Sequence, residues 1–195
     1  MKKYPLNYFY AVDSCEYHNE IKDKLLHLID ESNKKFVDLD DLKSTIDWGD
    51  ATTKERKWLD YYTNYISKHL NNLLVEFHAS SWKIEQIWFQ QYDNDGMHDW
   101  HTHGSTYTGV YYLELDDESP MTEIIETTKD LEFGDVKTLN AKEGDLVIFP
   151  SWLPHRAPTN RSNKRKTIIS FNMEFMIDIP FCHNHVKNKL INIAA

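Results

Sequence analysis

The sequence has few cysteines, fewer basic than acidic residues and no long apolar run. Only Cys15 and Cys182 occur among its 195 residues, and two distant cysteines in a chain of this size do not make a disulfide framework. With 22 Lys and Arg against 31 Asp and Glu, the net charge is −9, so the broad positive surface of nonspecific phosphate binders is missing. No segment has the length of a membrane span, and no apolar signal core follows Lys2 and Lys3. These absences predict a cytoplasmic protein that binds neither nucleic acid nor membranes.

The length and composition predict one folded domain over residues 1–195. Hydrophobic residues make up 41% of the chain and aromatic residues 13%, which is enough to fill a sizeable core. No internal repeat, low-complexity segment or linker divides the chain. Within the domain we expect helical support over 1–80, a strand-rich core over 81–178 and a polar tail over 179–195.

The hydrophobic period changes from helical to near two at about Ser81. Helices are predicted over 15–32, with Ser14 as the N-cap, and over 53–74, and the aspartate-rich stretch 38–50 between them suits loops. Strands are predicted near 82–92, 106–115, 121–127, 135–139, 145–149 and 166–175. Helices followed by many short strands indicate an α+β fold, with a double-sheet jelly roll as its β half.

Three histidines are candidate metal ligands. His101 and His103 are two residues apart, which in a strand places both imidazoles on one face. His155 follows a separate predicted strand and can supply a third nitrogen. Three ligands leave other coordination positions open, as in catalytic rather than structural sites, and neutral imidazoles suit Fe(II), Zn and Cu.

Arg165 follows His155 by ten residues across a turn-rich stretch, so the two are expected to lie close together at neighbouring strand ends. An arginine there can hold a carboxylate as a bidentate pair. Thr167 lies on the same face and can add a hydroxyl hydrogen bond. Arg161 is the reserve candidate for this role. Tyr112 and Tyr92 are expected to face the barrel interior, where a phenol either packs in the core, which is the favoured interpretation, or reaches the same carboxylate.

Four segments in order resemble the Fe(II)- and 2-oxoglutarate-dependent dioxygenases. They are His101-Thr102-His103, the run 108–113, the run Gly144 to His155, and the run Arg165 to Asn172. The chain is most similar to the small 2OG-Fe(II) oxygenase family of phages and marine bacteria, which is distantly related to prolyl 4-hydroxylases. The resemblance covers roughly residues 82 to 175.

The resemblance implies a double-stranded β-helix (a cupin-like jelly roll) buttressed by the N-terminal helices. His101, His103 and His155 would bind Fe(II), and Arg165, assisted by Thr167, would pair with the distal carboxylate of 2-oxoglutarate. O2 would be consumed, succinate and CO2 released, and the substrate hydroxylated. A peptide side chain and a small metabolite are the two candidate substrates, and a homodimer is compatible with the sequence.

The second ligand position departs from the wider superfamily, in which it is Asp or Glu. His103 occupies it here, and Asp99 is the rival ligand or a hydrogen-bond acceptor for a histidine N–H. Two other functions stay open: a three-histidine cupin-type dioxygenase that uses no 2-oxoglutarate, and a non-catalytic metal-binding jelly roll. Cys182, His183 and His185 form a second cluster of ligand-type side chains, interpreted as incidental, and His98 is interpreted as a loop residue.

Overall fold

The structure, a computed structural model, describes residues 9–48, 55–126 and 134–176. This part of the chain holds two helices and eleven strands. The elements are β1 (Ala11–Ser14), α1 (His18–Asp30), β2 (Lys35–Asp38), β3 (Leu42–Ile46), α2 (Lys57–Leu73), β4 (Ser81–Tyr92), β5 (Met97–His101), β6 (Tyr107–Glu114), β7 (Glu123–Glu126), β8 (Asp135–Thr138), β9 (Asp145–Pro150), β10 (His155–Ala157) and β11 (Lys166–Met176).

The strands form one curled antiparallel sheet with the order β1-β9-β6-β11-β4-β3-β5-β10-β7-β8, and β2 pairs with β3. Strand β3 joins the two walls of the curl. Its residues Thr45 and Ile46 pair with β4, whereas Leu42 and Lys43 pair with β5. The wall formed by β9, β6, β11 and β4 therefore lies opposite the wall formed by β5, β10 and β7, with a cavity between them.

The two faces of the β9-β6-β11-β4 wall bury different cores, because successive strand residues point to opposite sides. On β11, Ile169, Phe171 and Met173 pack into a hydrophobic cluster with the helices. Ile168 belongs to a second cluster inside the curl. Cross-strand packing is tight at Gly109, where an added Cβ would lie 2.1 Å from Cζ of Phe171.

Both helices cover the outer face of this wall. On α1, Ile21, Leu25 and Ile29 are fully buried at helical spacing. Helix α1 begins at His18 rather than directly after Ser14. The Ser14 hydroxyl donates instead to Asp145 Oδ1 at 2.6 Å, because Ser14 ends a strand.

The aspartate-rich stretch 38–50, predicted as loops, contains β3, which forms a hairpin with the preceding β2, so residues 1–80 supply strands as well as helices. In β3 the buried residues Leu42, Ser44 and Ile46 alternate with less buried neighbours. This alternation covers only five residues flanked by aspartates, which is too short to predict a strand from the sequence. Among the described helices, none is long and apolar enough to cross a membrane. Cys182, His183 and His185 and the predicted tail lie outside the described residues.

Candidate metal centre

The structure brings the three predicted histidines together between the two walls. His101 ends β5, His155 begins β10 directly opposite it, and His103 lies two residues beyond β5. One ligand atom from each lies within 4.8 Å of the others. A backbone hydrogen bond of 3.0 Å from His103 N to Ser151 O positions the third histidine.

Backbone carbonyls orient two of the imidazoles. His101 Nδ1 lies 2.6 Å from Asp99 O, and His155 Nδ1 lies 2.8 Å from Leu153 O. Because a carbonyl oxygen only accepts, each Nδ1 carries the proton and each Nε2 keeps its lone pair for a metal. Such support is typical of metal-binding histidines.

Burial favours the neutral form of all three histidines. Burial, reinforced by the neighbouring histidines, lowers the pKa of His155 to about 3 and that of His103 to about 4. Burial also lowers the pKa of His101. Because a metal competes with protons for these nitrogens, the donor set is ready to bind a divalent transition metal, and its chemistry fits Fe(II).

A fourth histidine, His98, lies against the cluster and was not predicted there. Its ring stacks on His101 with centroids 3.7 Å apart, and Gln90 Nε2 lies 3.4 Å from its Nδ1. The pairing of β10 with β5 is irregular. His155 pairs with His101 and Ala157 pairs with His98, so an advance of two residues on β10 corresponds to three residues on β5. This β-bulge turns residues three apart to the same side, which a regular strand period does not predict.

Asp99, the rival ligand, lies outside the cluster of ligand atoms. Its Oδ1 accepts the Trp100 backbone N–H at 2.8 Å, and its carbonyl supports His101. The structure therefore groups His103 with the other two histidines. Asp99 contacts His101 through its backbone carbonyl and not through its carboxylate.

The structure places Arg165 and Thr167 away from the histidines, on the outer face of the wall. Arg165 Nε donates to Glu114 Oε2 at 2.8 Å and its Nη1 to Asp30 Oδ1 at 2.8 Å. Thr167 Oγ1 donates to Glu114 Oε2 at 2.6 Å. The two share a face as predicted, but strand alternation turns that face toward α1, so the pair differs from its predicted position beside the metal. Arg161, the reserve, pairs with Asp95 at the surface.

Lys166, between them, is the buried cation on the inner face. Only 1% of it is exposed, and its ammonium donates to the Pro120 carbonyl. The nitrogen lies 5.7 Å from the ring centres of both Tyr92 and Tyr112. Burial lowers the pKa of Lys166 to about 7. The sequence analysis did not predict this position for Lys166. Because neighbouring strand residues point to opposite faces, Lys166 points inward when Arg165 points outward.

Tyr112 faces the interior, as predicted. Its hydroxyl donates to Thr122 Oγ1 at 2.8 Å, and burial raises its pKa. Tyr112 and Thr122 thus line the same end of the interior as Lys166. Thr122 and Tyr92 also line the cavity that contains the histidines.

Comparison with known proteins identifies this architecture. Residues 86–172 match the sequence model of a family described as "Putative 2OG-Fe(II) oxygenase". The match contains all three histidines, Lys166 and Asn172. A search of curated proteins finds no match to the chain.

Solved structures of low sequence identity share the fold. An oxidoreductase of the 2OG-Fe(II) oxygenase family from Burkholderia pseudomallei has a TM-score of 0.68 and 8% identity, with 85% of each chain covered. A Trichoplax adhaerens prolyl hydroxylase, solved with a hypoxia inducible factor peptide, has a TM-score of 0.59 and 12% identity over 84% of this chain and 82% of that one. The epimerase SnoN from nogalamycin biosynthesis has a TM-score of 0.60 and 11% identity over 88% and 82%. The predicted jelly-roll fold is confirmed.

Proposed function

Because residues 86–172 match the sequence model of a 2OG-Fe(II) oxygenase family, we propose that this protein hydroxylates a peptide side chain with Fe(II), 2-oxoglutarate and O2. The predictions of an oxidoreductase and of Fe(II) and 2-oxoglutarate as its cofactors are confirmed by this match. One observation carries the proposed site: three neutral histidines offer ligand atoms within 4.8 Å of one another. His101, His103 and His155 would hold the metal. When bound, the metal and cosubstrate supply the oxidation, with release of succinate and CO2.

Lys166 is the proposed partner of the distal carboxylate of 2-oxoglutarate, in place of Arg165. It is a buried ammonium on the inner face with no carboxylate partner among the described residues, and the distal carboxylate would supply one. Tyr112 and Thr122 line the same end and can hydrogen-bond to the cosubstrate. Arg165 already has two carboxylate partners.

The remaining residues of the cavity orient the reactants and limit the access of water. Val110 and Ile168 form an apolar floor beneath the histidines, and Phe149 packs against the His155 ring with centroids 4.8 Å apart. Apolar walls that exclude water would strengthen the electrostatic contacts inside. They also keep the imidazoles in their neutral form.

A peptide is the favoured substrate, because the structurally similar Trichoplax prolyl hydroxylase was solved with a peptide fragment. A small metabolite is the second candidate, because the epimerase of nogalamycin biosynthesis has the same fold. Fold alone does not distinguish the two.

The test is to add Fe(II) and 2-oxoglutarate without oxygen to the apoprotein and to record the visible metal-to-ligand charge-transfer band of the chelate. We expect a band in the wild type and in His27→Ala, an exposed control histidine on α1. The band should be lost in His155→Ala and His103→Ala, with circular dichroism unchanged. It should persist in Asp99→Ala.

Iron binding without the band would instead favour a three-histidine dioxygenase that uses no 2-oxoglutarate. An undiminished band in His155→Ala would exclude the proposed ligand set. No iron binding by the wild type would leave a non-catalytic jelly roll.

A further inference from the structure

The inner face of β11 runs from the buried Lys166 to Asn172, which pairs with Gln86 on β4. Gln86 is exposed, whereas Trp88 and Gln90 on the same face of β4 are buried. The interior therefore opens to solvent at the level of Asn172, at the end opposite Lys166. Six strand residues span about 20 Å, so one small dicarboxylate does not contact both Lys166 and Asn172.

Asn172 has an unpaired acceptor at this opening. Its residue exposure is 7%, and its Nδ2 donates to Gln86 Oε1 at 3.3 Å. Its Oδ1 is buried and has no hydrogen-bond partner among the described residues. Buried acceptors are nearly always paired, so this oxygen is suited to accept an N–H from a bound molecule.

Two tryptophans lead from this opening to the metal ligands. The buried Trp88 ring lies 5.8 Å from His103. The Trp48 ring lies 6.1 Å from Trp88 and is 58% exposed. Exposed indole faces bind apolar rings and cations.

Among the described residues that line the cavity, none offers an unpaired positive charge to an anionic substrate. Arg156 is the only Lys or Arg among the described residues that line it. Its Nε already pairs with Glu123 Oε2 at 2.7 Å, and its guanidinium lies 4.6 Å from the Trp100 ring centre. With Lys166 committed to the cosubstrate, a substrate carboxylate or phosphate would find no free cationic partner there, and the chain's net charge of −9 repels it further.

We infer that Trp48, Gln86, Trp88 and Asn172, here called the amide–tryptophan mouth, bind the main chain of an uncharged or basic peptide. Asn172 Oδ1 accepts a main-chain N–H, the exposed Gln86 amide offers further polar atoms, and Trp48 packs against a neighbouring side chain. This inference rests on the proposed function and names the substrate class of the same site.

The test uses immobilised protein loaded with Fe(II) and 2-oxoglutarate without oxygen. The probe is a mixture of short random-sequence peptides, acetylated and amidated so that their ends are uncharged, and the retained peptides are sequenced. Wild type should retain peptides depleted in Asp and Glu. Asn64→Ala, which alters an exposed asparagine on α2, is the matched control and should retain the same pool.

Asn172→Ala should bind a retained peptide about threefold to tenfold more weakly, as expected for one lost hydrogen bond. Trp48→Ala should also weaken binding. Asn172→Asp keeps an acceptor oxygen at the position and should still retain the peptides, which separates loss of the acceptor from loss of the fold. The charge-transfer band of each variant reports whether its metal centre is intact.

A wild type that forms the band but retains no peptide, or mainly acidic peptides, would overturn the inference and leave the oxygenase assignment standing. Wild-type peptide affinity in Asn172→Ala would also overturn it. If Asn172→Ala instead raised the half-saturating concentration of 2-oxoglutarate, Asn172 would be assigned to cosubstrate binding and the inference would be overturned. A wild type without the band would overturn the proposed function itself.

Discussion

Lys166 and Arg165 are neighbours in the chain but point to opposite faces of the wall that carries β11. We expect Lys166→Met to raise the half-saturating 2-oxoglutarate concentration several hundredfold. Leaving one half of a buried charge pair without its partner costs about 3–5 kcal/mol. Arg165→Met is the matched control and should change this concentration little, because its partners are Glu114 and Asp30. Titration of the charge-transfer band measures both, and a larger effect in Arg165→Met would return the cosubstrate role to that residue.

The affinity for 2-oxoglutarate should fall as pH rises above about 7. Burial lowers the pKa of Lys166 to about 7, and only the charged ammonium pairs with a carboxylate. Above the pKa each binding event must take up a proton, so affinity should drop about tenfold per pH unit. Tyr92 and Tyr112, which face Lys166, remain neutral because burial raises the pKa of each phenol.

Lys166→Arg provides the control for this pH dependence, because arginine stays charged across the accessible range. Its 2-oxoglutarate affinity, followed by the same band, should be flat between neutral pH and pH 9. A wild-type profile that is equally flat would show that the lysine is charged in the cosubstrate-free protein.

At the residue scale, the grouping of the three candidate metal ligands was predictable and their surroundings were not. His101, His103 and His155 are ligand-type side chains in separate segments, and this signal needs no knowledge of burial. The choice between Arg165 and Lys166 depends on which strand face turns inward. A basic run of Arg and Lys gives no hydrophobic alternation that would reveal it.

At the element scale, the strands β4, β6, β7, β8, β9 and β11 were predicted, including the four-residue β7 and β8, whereas β1, β2, β3, β5 and β10 were missed. The predicted 82–92 corresponds to β4, and 166–175 to β11, because each run is long and rich in β-branched and aromatic residues. Strands β5 and β10 were not predicted. They are short and polar because they carry the histidines, so the requirements of the site override the usual strand pattern. The bulge that brings His98 beside His101 arises from the pairing of these two strands.

Asp47 joins helix α2 to the sheet, and its removal should destabilise the protein. The carboxylate accepts from Arg56 Nη2 at 2.6 Å, from Trp58 Nε1 at 3.0 Å and from the Phe89 backbone N–H at 3.1 Å. We expect Asp47→Ala to lower the free energy of unfolding by about 3–5 kcal/mol, because Arg56 would be left as a buried charge without its partner.

Urea unfolding followed by circular dichroism measures this loss. Asp60→Ala, at an exposed position in the first turn of α2, is the control and should change the free energy of unfolding by less than about 0.5 kcal/mol. Equal small effects of the two substitutions would mean that the Asp47 contacts contribute little to holding α2 on the sheet.

At the scale of the whole molecule, the histidines are not needed to hold the two walls together. One hydrophobic cluster lies between the helices and the β9-β6-β11-β4 wall, and a second lies inside the curl around Tyr112, Phe149 and Ile168. Neither cluster includes a histidine. We therefore expect the apoprotein to fold, with iron and cosubstrate adding stability only through binding.

The size of that added stability follows from mass action. At ligand concentrations about 100 times the dissociation constant, binding to the native state contributes about 2.7 kcal/mol. For a domain of this length that corresponds to an increase in Tm of about 5–11 °C. Thermal unfolding without oxygen should show this increase on addition of Fe(II) and 2-oxoglutarate, and EDTA should reverse it.

His155→Ala should melt near the Tm of the wild-type apoprotein and show no increase on addition of the ligands, because it lacks one of the three nitrogens. An apoprotein that is unfolded would instead mean that the metal is structural and that the two clusters do not suffice. An increase of the same size in His155→Ala would place the bound ligands away from the three histidines. The increase in the Tm of the wild type, compared with that of His155→Ala, thus measures how much ligand binding at the three histidines stabilises the folded protein.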